Sequence, residues 1–201
     1  MQLSLENIGV HFENRWVFRG ITNKFKLNDQ IVFLGENGSG KSTLLKVCSG
    51  FLTADEGEFT VAKDETNINN IAPHVSLCAP YIELIEEMTL LEFLEFHFTF
   101  KGKSIPIEKM IAIIGLEGKE NELIENFSSG MKQRVNLAQA FFADTSILLL
   151  DEPCSNLDEK GYALYKRLIS DYTKDRVVLI ASNDAKEHNF CNFQIRLSDF
   201  K

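Results

Sequence analysis

The chain has 201 residues, 44% of them hydrophobic and 25% charged, with a formal net charge of −8 and an isoelectric point near 5.1. That length suits one domain, or one domain carrying a subdomain, with room for a substantial core. The acidic balance argues against nucleic acid as the main partner.

The N-terminus, Met1 to Glu6, lacks a basic stretch followed by an apolar one, so no signal peptide is expected. Residues 3–12 alternate loosely, with Leu3, Leu5, Ile8, Val10 and Phe12 apolar, and Val17 to Phe25 resumes the pattern. Both read as strands of an antiparallel layer, with a turn at Glu13-Asn14-Arg15. A turn at Asn28-Asp29-Gln30 leads into Ile31-Val32-Phe33-Leu34, an apolar run that reads as a buried strand.

Gly35-Glu36-Asn37-Gly38-Ser39-Gly40-Lys41-Ser42 follows at once and has the pattern G-x-x-x-x-G-K-[ST]. Thr43 to Cys48 reads as the start of a helix that stops at Gly50. A strand, a glycine-rich loop and a helix in that order predict a nucleoside-triphosphate site. The glycines let the backbone curl so that several N–H groups face one anion, and the helix adds its positive end. Lys41 is expected to reach the β- and γ-phosphates, and the Ser42 hydroxyl to ligate Mg²⁺.

Thr53 to Gly57 reads as a turn, Glu58 to Ala62 as a short strand, residues 63–72 as a loop, and Val75 to Cys78 as a strand ending before Pro80. From Leu84 to Phe98 the apolar residues Leu84, Ile85, Met88, Leu91, Phe93, Leu94, Phe96 and Phe98 recur at largely helical spacing, and Thr89 with Glu92 forms a capping box. A second helix is expected from Ile107, behind Pro106, to Ile114, followed by a connection through Gly118 to Asn126. The phenylalanine stripe reads either as core or as a docking surface.

Phe127-Ser128-Ser129-Gly130-Met131 opens another helix. Taken alone, Ser128, Ser129 and Gly130 are an N-cap; after a phosphate loop they read as a second anion nest, serving a nucleotide held by a neighbouring subunit. Ser146 to Leu150 then runs into Asp151 and Glu152. A buried parallel strand would deliver both carboxylates to its C-terminal edge, Asp151 to hold Mg²⁺ through water and Glu152 to orient or deprotonate the attacking water. The four separated cysteines, Cys48, Cys78, Cys154 and Cys191, form no C-x-x-C pair and read as reduced thiols. No apolar run reaches the length of a membrane span.

With these motifs in place the chain resembles, over nearly its whole length, the ATP-binding subunits of ABC transporters. Residues 35–42, with Thr43 behind them, look like the Walker A motif of that family, Ile147 to Glu152 like Walker B with its catalytic glutamate, residues 127–131 like the LSGGQ signature, and Ser155-Asn156-Leu157-Asp158 like the D-loop. The resemblance implies an α/β fold: a phosphate-loop NTPase (RecA-like) core, residues 1–80 and 127–201, with an N-terminal antiparallel β layer and a small α-helical subdomain over residues 81–126. It implies ATP and Mg²⁺ as ligands, with Gly35, Asn37, Gly38, Ser39, Gly40, Lys41, Ser42 and Thr43 around the phosphates and Phe12 stacked on adenine, or Trp16 in its stead. It also implies a membrane-spanning permease subunit and a second ATP-binding subunit as partners, hydrolysis coupled to transport, and a place on the inner face of the cell membrane. No further C-terminal regulatory domain is expected.

Two positions depart from the family pattern. Ala79-Pro80-Tyr81 stands where the Q-loop glutamine belongs, with the nearest glutamines far along the chain, and Asn183 stands in place of the switch histidine. Asparagine donates a hydrogen bond but carries no proton near pH 7. Lys41, Asp151 and Glu152 favour hydrolysis, at a rate the two replacements can alter. The alternatives are an ATP-binding regulatory or assembly subunit with little turnover, and a non-transport member of the family. The insert is too short and too irregular in its heptads for the coiled coil of DNA-repair members, and ribosome-acting members usually carry two such domains where this chain has one phosphate loop.

Overall fold

The computed structural model describes residues 1–13 and 15–201. The turn expected at Glu13-Asn14-Arg15 falls partly on residue 14, outside the described residues. On either side of it run β1 (Gln2–Phe12) and β2 (Arg15–Lys26), antiparallel in the register Leu3↔Phe25 and Val10↔Phe18. With β4 (Glu56–Lys63) and β5 (Thr66–Asn67) they form a sheet in the order β2-β1-β4-β5.

The second sheet is wholly parallel. Its strands are β3 (Gln30–Leu34), β6 (Val75–Cys78), β7 (Ile147–Asp151), β8 (Val177–Ala181) and β9 (Phe193–Arg196), in the order β6-β7-β8-β3-β9. Every residue of β7 and β8 is buried, which is why both strands read as unbroken apolar runs rather than alternations. The helices are α1 (Lys41–Ser49), α2 (Leu90–Lys101), α3 (Ile107–Ile113), α4 (Ser129–Phe141), α5 (Glu159–Tyr172) and α6 (Ala185–His188).

The period of two along the parallel strands separates two cores. Ile31, Phe33, Ile147, Leu149, Val177 and Leu179 face the antiparallel sheet and α1. Val32, Leu148, Leu150, Val178 and Ile180 face the other way, into a cluster shared with α2, α3, α4 and α5. The helical insert therefore packs on the same face of the sheet as α4 and α5. Of its phenylalanines, Phe93 and Phe98 are core, while Phe96 and Phe100 are exposed and stack edge to face at 5.2 Å.

Several boundaries differ from the sequence expectation, each for a local reason. Helix α1 begins at Lys41 rather than Thr43, because Gly40 takes a left-handed conformation and acts as N-cap. Strand β4 begins at Glu56 inside the expected turn, since Glu56 pairs with Gly9 and is held by the Arg19 guanidinium at 2.6 Å. The loop expected over 63–72 contains β5, because Asp64 and Glu65 both adopt positive φ and make a two-residue hairpin turn without the usual glycine. Leu84, Ile85 and Met88 precede the helix rather than belong to it. The capping box of Thr89 and Glu92 starts α2 only at Leu90, and the preceding backbone pairs instead with 122–125, through Ile124 N–H to Met88 O at 3.0 Å and Glu125 N–H to Glu86 O at 3.0 Å.

Candidate functional site

The parallel sheet gathers the motif residues at one edge. β3, β8 and β7 are neighbours, with Phe33 level with Ala181 and Ala181 level with Asp151. The chain therefore leaves these strands at adjacent points: at Gly35 into the glycine loop, at Ser182 and Asn183, and at Glu152. This is the C-terminal edge of a parallel sheet, where such folds hold their ligands.

The loop from Gly35 to Gly40 is closed on itself. The Ser39 N–H donates to Glu36 O at 3.0 Å, and Lys41, itself buried, sends its ammonium back to Gly35 O at 2.7 Å and Glu36 O at 3.2 Å. The wrap requires glycine at two points. Gly38 and Gly40 have φ of +79° and +102°, and a Cβ at Gly40 would run into the Val17 and Phe18 side chains. Helix α1 then opens with no side-chain cap and no acidic residue in its first turn, so the N–H groups of Lys41, Ser42 and Thr43 present partial positive charge at the loop. The Ser39 hydroxyl, 4% exposed, has no hydrogen-bond partner among the described residues. A buried donor without a partner, an uncapped helix and a lysine on the loop together fit a polyphosphate.

Asp151 ends β7 at 3% exposure. Burial pushes its carboxyl up from the ordinary value, Glu152 adds to that rise, and the Ser42 hydroxyl, Lys41 and Lys46 pull it back. Ser42, in the first turn of α1, and Asp151, at the end of β7, offer this edge a hydroxyl and a carboxylate, the hard oxygen donors that suit Mg²⁺. Glu152 is exposed, with φ of 44° and its N–H bound to Ala181 O at 2.9 Å. A left-handed glutamate is a local strain of about 1–3 kcal/mol, the kind concentrated at functional sites.

The Asn183 side-chain amide donates to Asn37 Oδ1 at 3.3 Å, which brings Asn183 onto the glycine loop. Pro80 is exposed and Ala79 buried. Beside them the Tyr81 ring lies 4.4 Å under the Lys46 ammonium. Glutamine is distant from this place only along the chain. Gln133 of α4 donates to Pro153 O at 2.7 Å and reaches Cys78 Sγ at 3.7 Å, so its buried amide lies between the ends of β6 and β7. Sequence reading passed over Gln133, and its helix periodicity could have found it only as a polar residue on a buried face.

Ser128 caps α4 by accepting from the Met131 N–H at 3.3 Å, with Ser129 as first helical residue. Ser128 and Ser129 are exposed and Gly130 half-buried, and a Cβ on Gly130 would stand 3.4 Å from Asn156 O, so this turn lies against the 155–158 loop. Phe12 is 53% exposed. Trp16 has one face under the Arg19 guanidinium at 4.7 Å and the His11 ring 5.2 Å away, so of the two aromatics Phe12 has the freer ring.

A family model described as ABC transporter matches residues 18–155. Over 180 residues the chain is 29% identical to the retinal-specific phospholipid-transporting ATPase ABCA4 of Mus musculus, which covers 86% of this chain and 8% of that protein. It therefore spans only a small part of that relative's length. Over 203 residues it is 30% identical to a Bacillus subtilis (strain 168) protein described as an uncharacterized ABC transporter ATP-binding protein, YybJ, covering 96% of this chain and 90% of that one. A solved structure described as a putative ABC transporter (ATP-binding protein) from Pyrococcus furiosus matches the fold at a TM-score of 0.84 and 21% identity, with both chains covered in full.

Proposed function

Because the chain belongs to the ABC transporter family, we propose that it is the subunit that binds and hydrolyses ATP to drive a separate membrane-spanning permease. The observation that carries this reading is the common sheet edge of Lys41, Ser42, Asp151, Glu152 and Asn183, with Asn183 hydrogen-bonded to the glycine loop itself.

In this reading Phe12 stacks on adenine, and the residues from Gly35 through Asn37, Gly38, Ser39 and Gly40 to Thr43 wrap the phosphates with backbone N–H groups. Lys41 neutralises β- and γ-phosphate charge. Ser42 would hold Mg²⁺ directly and Asp151 through water, and the ion would supply further neutralisation of the phosphate oxygens. Glu152 orients the attacking water and accepts its proton, while Asn183 donates a hydrogen bond to a γ-phosphate oxygen. Ser128, Ser129 and Gly130 cap the ATP of a second ATP-binding subunit, so that two subunits close head to tail on two nucleotides. Residues 1–80 and 127–201 form the nucleotide-binding core, and 81–126 the helical subdomain that passes closure and reopening to the permease. Contacts to phosphate that exist in only one state convert binding energy into that motion.

No helix of the described residues is long and apolar enough to cross a membrane, so attachment to the inner face of the membrane would run through the permease. Mild-detergent capture of the tagged protein from its native membranes, with its partners identified by mass spectrometry, tests the transport reading. A stoichiometric polytopic membrane protein is expected. Recovery alone, or with ribosomes or DNA, would contradict transport and favour a non-transport role.

A further inference from the structure

The carboxylate of Glu187 is 5% exposed and plays no part in the chemistry above. It belongs to α6, the single turn that follows Asn183. Its Oε1 accepts the backbone N–H of Cys154 at 2.9 Å. One buried residue thus ties the turn after Asn183 to a residue two positions after Glu152.

The backbone carrying Glu187 is fixed from the opposite side. Tyr165 of α5 donates its hydroxyl to Glu187 O at 2.7 Å, and Tyr162, one turn earlier, donates to Lys186 O at 2.5 Å. The Glu187 N–H closes on Asp184 O at 2.9 Å. Segment 152–157, in turn, is held at three points: Glu152 N–H on Ala181 O, Pro153 O on the Gln133 amide, and Cys154 N–H on Glu187. The first two bonds are neutral. The third is partly buried and charge-assisted, and its charge makes it the strongest of the three. Glu152 needs such support, because its φ of 44° is a conformation that surrounding structure must impose.

We propose that Glu187 is a positioning residue that pins segment 152–157 to the Asn183 turn, and thereby holds the Glu152 carboxylate where it acts on water. The proposal rests on the reading of Glu152 given above, but the pin itself can be measured without nucleotide. Burial raises the Glu187 carboxyl from its ordinary value while the Ser182 and Cys154 donors lower it again, so these donors compensate part of the cost of keeping a charge there.

The test uses the full chain as wild type, Glu187→Ala and Glu187→Gln, with two readouts. Amide hydrogen exchange without nucleotide is expected to quicken about tenfold across 152–157 in the alanine variant, from loss of a charged hydrogen bond. Exchange in β7 and β8 should stay unchanged, and the glutamine variant, whose amide oxygen accepts the same N–H, should resemble wild type. With Mg-ATP, Glu187→Ala should lower kcat about 10- to 100-fold with KM unchanged within about twofold, and Glu187→Gln should recover most of it. Exchange across 152–157 that does not respond to Glu187→Ala would overturn the pin, whatever the turnover. So would a rise of the same size in β7 and β8, which marks general unfolding, or a wild-type kcat in the alanine variant. Wild-type protein that hydrolyses no ATP would instead remove the reading of Glu152, with the exchange result still deciding the pin.

Discussion

Glu152 combines an exposed carboxylate with a left-handed backbone, and the two properties separate experimentally. Replacing it with glycine removes the carboxylate and relieves the φ of 44° at once. Glu152→Gly is expected to raise the denaturant midpoint by about 1 kcal/mol equivalent while abolishing ATP turnover. A midpoint that falls would mean the conformation is not strained. At this scale the sequence disclosed residue types in chemical order, because the phosphate loop and the acidic pair lie within contiguous motifs. It did not disclose the backbone state of Glu152, the bond from Asn183 to Asn37, or the approach of Gln133 to Pro153, each of which depends on residues brought together across the fold.

Arg176 shows how the elements are locked together. It precedes β8, is buried, and donates to Phe141 O, Ala140 O, Ser76 Oγ and Thr145 Oγ1 at 2.9, 3.2, 2.6 and 2.7 Å. One guanidinium therefore joins the end of α4 to β6 and to the turn before β7. Burial lowers its pKa to about 10, partly offset by Asp144, so the group stays charged at neutral pH. Arg176→Leu leaves those buried oxygens short of donors and should cost about 3 kcal/mol of stability by chemical denaturation. An unchanged midpoint would show that the network contributes little. Elements were legible where one local signal dominated, as in the unbroken apolar runs of β7 and β8 or the capping box at Thr89. They were not legible where tertiary pairing overrode spacing, as for Leu84, Ile85 and Met88, which lie ahead of α2 in a stretch whose Glu86 and Met88 pair with Glu125 and Ile124, or where the hairpin turn at Asp64 and Glu65 lacked glycine.

Across the whole molecule, one parallel sheet divides two cores and carries the candidate site along its C-terminal edge. That architecture followed from the order strand, glycine loop, helix, helical insert, capped helix and acidic strand end, since parallel strands require crossovers and crossovers place loops at that edge. Which phenylalanines of α2 stay exposed was not legible, because exposure of Phe96 and Phe100 depends on which side of α2 meets the core. Whether the gathered residues hydrolyse ATP rather than only bind it is decided by steady-state phosphate release from Mg-ATP by wild type and Glu152→Gln, alongside ATP affinity for both. Affinities equal within about twofold are expected, with a kcat lower by about 100-fold or more in the variant. A wild-type rate at background, with the membrane partner present and ATP bound, would contradict hydrolysis and leave a nucleotide-binding subunit without turnover; equal rates above background would instead remove Glu152 from the chemistry.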